Sequence, residues 1–110
     1  MSLILPPIVA TYFDAENRHD AAAVAACFQP DGMVTDEGHA YRGHAAIAAW
    51  KQSTSAKYAV TIAPLTLADD VARGCTVRAR VSGSFPGSPL EIGFAFVFDE
   101  DLIATLRIAA

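Results

Sequence analysis

Apolar residues recur three and four positions apart in the first half of the chain, and at every second position in the other half. Ile8, Val9, Tyr12, Phe13 and Ala15 keep helical spacing to about Asn17, and Pro6-Pro7 suits that helix's first turn. Asp20 is a good N-cap for a second short helix, Ala21 to Phe28, with Val24 and Phe28 on one face. Pro30-Asp31-Gly32 reads as a turn. Met33-Val34-Thr35 reads as a brief strand that delivers Asp36, Glu37 and Gly38 to its end. A third helix, roughly His44 to Ser53, buries Ile47 and Trp50.

From Tyr58 the period becomes two. Tyr58 to Leu67, Cys75 to Phe85, Leu90 to Phe98 and Leu102 to Ile108 are four expected strands. Asp69-Asp70, Phe85-Pro86-Gly87-Ser88 and Asp99-Glu100-Asp101 supply the turns, and adjacent Pro and Gly suit a type II turn. Helices followed by strands make an α+β domain. Leu90, Ile92, Phe94, Phe96 and Phe98 form one bulky face, opposite Glu91, Gly93, Ala95 and Val97, which are small and mostly apolar. Three helices can cover one face, so the other is expected to meet a second subunit, giving a homodimer.

The chain has 110 residues, room for a single domain over 1–110 that buries roughly two-thirds of the unfolded chain's surface. Its 53% apolar and 18% charged residues exclude disorder. The net charge of −4, with no run of Lys or Arg, argues against nucleic acid or anionic membrane as a partner. No apolar stretch reaches ~18 residues, and the opening lacks a basic region ahead of its apolar residues. A cytoplasmic protein is expected. Cys27 and Cys75, without a CxxC pattern, read as small buried hydrophobes. His39 and His44, with Asp36 and Glu37, lack a recognised metal-ligand spacing, and no metal is expected. Arg73, Arg78 and Arg80 read as a solvated strand face.

Few groups could move protons in an apolar setting. Asp36 ends a strand, with Glu37 beside it, and Tyr12 lies on the inner face of the first helix. Desolvation raises a carboxylate's pKa and makes it a usable proton carrier. A nearby phenol can donate to an oxygen that gains negative charge. Equally, Tyr12 can be core packing and Asp36 a turn or capping residue. Which of Asp36 and Glu37 points inward is open.

The stretch from Tyr12 through Asn17 to Asp20, then Phe28-Gln29-Pro30-Asp31-Gly32-Met33-Val34-Thr35-Asp36, resembles the ketosteroid isomerase and SnoaL-like polyketide cyclase branch of the NTF2-like superfamily. Tyr12, Asn17, Asp20 and Asp36 fall at that family's relative spacing, and Tyr41-x-Gly43 before a helix extends the likeness. The resemblance implies a cone: three N-terminal helices on a curved, mostly antiparallel sheet enclosing an apolar pocket, paired through its convex face. It implies Asp36 as general base and Tyr12 as oxyanion donor. A second donor would fall near Phe94, whose side chain cannot donate; such a loss typically costs ~10²–10³ in rate, which weighs against efficient steroid isomerisation. An Asp-Arg-Asp set around a water, as in an epoxide-hydrolase relative, does not assemble from this sequence. The implied activity is isomerase- or cyclase-type proton transfer on a small hydrophobic carbonyl compound, without metal or organic cofactor. Trp50, Phe94, Phe96, Phe28 and Met33 would shape the pocket. The rival expectation is a non-catalytic ligand-binding or dimerisation module.

Overall fold

The computed structural model describes residues 4–57, 59–70 and 74–109, with residues 69 and 70 described by backbone alone. Three helices precede or interrupt a six-stranded sheet: α1 (Pro7–Asn17), α2 (Ala21–Ala26), β1 (Phe28–Asp36), β2 (His39–Arg42), α3 (His44–Lys57), β3 (Thr61–Asp70), β4 (Gly74–Ser82), β5 (Leu90–Asp99) and β6 (Leu102–Ala109). The strand order is β2-β1-β6-β5-β4-β3. Only β1 and β6 run parallel; the other pairs are antiparallel. This is the expected α+β cone, with helices on one face of a curved, mostly antiparallel sheet.

Local chemistry sets the helix ends. Pro7 opens α1, where its missing N–H has no helical partner to lose. The Asp20 carboxylate accepts from the Ala23 N–H at 3.1 Å and caps α2. No Gly or Pro arrives to stop α3 at Ser53, and it continues one turn further, to Lys57. Among the described residues, no helix is long and apolar enough to cross a membrane.

The Pro30-Asp31-Gly32 signal marks a bulge instead of a turn between elements. Phe28 pairs with Ile103 and Met33 with Thr105, so β1 advances five residues while β6 advances two. Gly32 sits at the tightest point, where a Cβ would lie 2.9 Å from the Cβ of Phe28 and 3.0 Å from the Gln29 carbonyl oxygen. Beyond the bulge, the two-residue period sends Val34 and Asp36 inward, in register with Leu106 and Ile108, and sends Met33 and Thr35 outward. Glu37 and Gly38, at φ 51° and 78°, form the tight hairpin into β2, a strand the sequence reading did not anticipate.

The Pro86-Gly87 turn is as expected: Ser88 N–H donates to the Phe85 carbonyl at 3.3 Å and Gly87 takes φ 88°. Asp69 and Asp70, read as a turn, continue β3 by pairing with Cys75 and Gly74. Tyr58 and Arg73 lie outside the described residues. Arg78 and Arg80 are exposed on the outer face of β4.

Between the helices and the sheet lies an aromatic core. Phe13 meets Phe94 edge-on at 5.2 Å, and Tyr12 meets Phe96 at 5.5 Å. Cys27 and Cys75 are each 2% exposed and form no disulfide. Asn17 ties α1 to β3: its amide donates to the Ile62 carbonyl at 2.9 Å and accepts the Ile62 N–H at 2.7 Å. Asn17→Ala removes both bonds, and the expected cost is about 1–3 kcal/mol in urea unfolding. An unchanged midpoint would mean that water replaces the amide at no cost.

Candidate active site

Two positions inside apolar helix faces carry charge. On α1, Glu16 follows Tyr12 by four residues and Phe13 by three, which places it on the stripe that faces the sheet. On α3, Lys51 follows Ile47 by four and lies beside Trp50. The two meet: Lys51 Nζ stands 2.6 Å from Glu16 Oε1, and their side chains are 1% and 5% exposed. The Tyr12 hydroxyl donates to the other oxygen, Oε2. Tyr12 itself is wholly buried, and desolvation first, then the neighbouring Glu16, hold its pKa well above the usual phenol range.

Asp36 ends β1 on the inner face, half-buried, where the Trp50 indole Nε1–H donates to its Oδ2 at 3.1 Å. Burial raises its pKa. The Trp50 hydrogen bond opposes that rise, and the charges of Glu37 and Glu16 add to it. The tilted ring of Tyr41, 6.2 Å from Trp50, backs the indole.

A cavity of about 410 Å³ opens in front of Asp36, Glu37 and Glu16. Its walls are largely apolar and include Trp50, Ile92, Phe94 and Ile108, with Phe85 and Leu90 from the β4–β5 end. A second hollow of about 560 Å³ shares Asp36, Glu37, Trp50 and Thr54, and is otherwise bordered by more polar residues such as His39, Ser53 and Lys57. Trp50 and Asp36 therefore stand between two spaces. Among the described residues, no group of three or more His, Cys, Asp or Glu is arranged to hold a metal ion.

Of the residues singled out from sequence, Asp36, Trp50 and Phe94 line the cavity together. Glu37 lines it too, from the hairpin turn, so both carboxylates of the pair reach the same space. The others do not. Phe96 and Phe28 are 2% and 0% exposed and pack against Tyr12 in the core. Met33 is on the opposite face of the sheet, with Arg42 Nη2 3.8 Å from its sulfur, because the bulge fixes the alternation that turns it outward. Tyr12 offers nothing to the cavity directly, since its hydroxyl is engaged by Glu16. His44 is exposed, with its Nε2 2.8 Å from the Phe28 carbonyl oxygen. Glu16 and Lys51 were missed, although opposite charges inside two apolar helical stripes are a signal that could have found them.

Residues 9–105 match the SnoaL-like domain model. The chain belongs to the SnoaL-like domain family. A candidate polyketide cyclase from Sinorhizobium meliloti shares 38% identity with this SnoaL-like domain, superposes with a TM-score of 0.90, and is matched over 94% of each chain. A protein of ketosteroid isomerase-like fold from Catenulispora acidiphila, in complex with trimethylamine, is 20% identical, with a TM-score of 0.87 over 97% of this chain and 87% of its own. SalBIII, an epoxide hydrolase/cyclase-like enzyme of pyran ring formation in salinomycin, is 21% identical, with a TM-score of 0.79 over 94% and 87%. At these lower identities the likeness is one of fold. No match is found among curated proteins.

Breaking the buried ion pair from one side leaves an uncompensated charge. Glu16→Leu or Lys51→Met alone is expected to cost about 3–5 kcal/mol. The double variant should lose less than the sum of the two, read from urea midpoints in a double-mutant cycle. Additive losses would show that the two charges do not depend on each other.

Proposed function

We propose that this protein is a cofactor-independent enzyme of the isomerase or cyclase type, which moves a proton on a small hydrophobic carbonyl compound. The observation that carries this reading is Asp36: a half-buried carboxylate with raised pKa, held by the Trp50 N–H at the wall of a largely apolar cavity. Burial makes this carboxylate a stronger base than an exposed one, and a carboxyl group in contact with a ligand can take a proton and give it back. With its proton on, Asp36 donates to the carbonyl oxygen of a ligand packed against Phe94. With its proton off, it takes one from the adjacent carbon. Trp50 fixes the carboxylate's orientation.

Tyr12 has a different part from the one the family resemblance implies. Its hydroxyl donates to Glu16, and in this reading it anchors that carboxylate in place of polarising a substrate oxygen. Phe94, near the place of a second donor, is apolar. Trp50 donates to Asp36, and Thr54 donates to the Lys51 carbonyl at 3.1 Å. A free enolate would find little to hold it, so the reading favours proton donation to oxygen over build-up of an oxyanion. The same shortage favours the second reading, a ligand-binding module without chemistry.

The sheet's outer face supports a homodimer. It presents Thr76, Gly93, Ala95, Val97 and Thr105, with no helix over it among the described residues, and Val97 is 44% exposed. Ala95→Arg is expected to convert a dimer to a monomer in sedimentation equilibrium; a wild-type monomer would remove the proposal. For the chemistry, ketones such as 2-tetralone are incubated in deuterated water and followed by NMR. Wild type should accelerate exchange of the hydrogens next to the carbonyl, and Asp36→Asn should lose ~10²–10⁴ of that rate. Exchange that survives the substitution would rule Asp36 out as the proton carrier. Stabilisation by bound ketone, about 2.7 kcal/mol at a hundredfold excess over Kd, without exchange would favour the binding module.

A further inference from the structure

The charges around the cavity do not balance. Three carboxylates reach it, from Glu16, Asp36 and Glu37, and no Lys, Arg or His lines it among the described residues. Glu16 is compensated by Lys51 behind it. Asp36 and Glu37 are in none of the ion pairs formed among the described residues. The remaining walls include the aromatic residues Trp50, Phe85 and Phe94, a side-chain class that attracts cations. Hydrogen-bond donors are scarce as well: those of Tyr12, Trp50 and Thr54 already point at protein oxygens.

An anion entering this space would meet carboxylates and find few donors. A neutral ligand would leave the imbalance in place. A cation with an apolar body would answer all three features, setting its charge beside Asp36 and Glu37 and its body against the rings. We propose that the cavity is a binding site for a small hydrophobic cation, namely a protonated or quaternary amine on an apolar frame. The inference rests on the reading of this cavity as the ligand site, though not on Asp36 moving a proton. The neighbouring carboxylates that make Asp36 harder to ionise are the same field that a ligand cation would relieve.

Three probes on one benzyl frame test it by titration calorimetry in neutral buffer: benzyltrimethylammonium, benzyl alcohol and phenylacetate. The cation is expected to bind about 10-fold or more tighter than the alcohol, and phenylacetate not measurably. Asp36→Asn should remove about 10-fold of the cation's affinity and change the alcohol's by much less. Glu37→Gln, on the exposed turn where folding is not at risk, should weaken the cation alone by a smaller factor. Ile92→Trp, which fills the cavity, should abolish both ligands and so exclude binding elsewhere on an acidic surface. Equal affinities for cation and alcohol would overturn the proposed ligand class and leave the cavity as a ligand site. Preferred phenylacetate would reverse the sign and favour an oxyanion site. If no probe binds wild type, the cavity reading and the ligand class fall together, whereas ketone exchange tests the chemistry separately.

Discussion

A lysine and a glutamate, both almost wholly removed from water, meet at 2.6 Å between α1 and α3. Each would be costly to bury alone, so the two helices must come to one separation and one rotation to satisfy them. Apolar packing between helices is tolerant of sliding; an ion pair of this length is not. Tyr12 closes the remaining oxygen of Glu16 from within α1, and the core rings of Phe13, Phe94 and Phe96 gather around that point. With α3 so placed, Trp50 comes within reach of Asp36, and the cavity has its wall. The ion pair thus adjoins the wall: Lys51 follows Trp50 directly along α3, and Glu16 itself lines the apolar space.

The acceptor of the Trp50 indole N–H depends on β1. Five residues against two at the bulge reset the strand's alternation, and Asp36 faces inward only because of it. Asp36 is then held between competing influences. Burial and its acidic neighbours favour its neutral form, while the indole N–H favours the charged one. A carboxylate in that position is responsive to whatever arrives beside it.

Much of this architecture was legible in the sequence. The helical spacing of Val9, Tyr12 and Phe13, the Asp20 cap, the Pro86-Gly87 turn and the strict alternation from Leu90 to Phe98 are local signals, and local geometry obeys them. Most of the failures share a cause, which is that long-range pairing decided them. Pro30-Asp31-Gly32 is a turn by composition, but β6 runs alongside and makes it a bulge. Met33 follows as an outward residue that no count along the chain could orient without that register. Tyr12 was correctly placed on the inner face, yet its partner comes from its own helix and leaves nothing for a ligand. Glu16 and Lys51 could be seen as charges in apolar stripes, but only the fold shows that the stripes meet.

Trp50 is the chain's sole tryptophan, and it sits between the two hollows with its N–H on Asp36. All indole emission therefore originates at one wall of the site. Protonation of the carboxylate, arrival of a ligand in either space, or a change in how Tyr41 backs the ring would each alter the surroundings of the same fluorophore. The protein carries its own optical reporter beside Asp36, without a label.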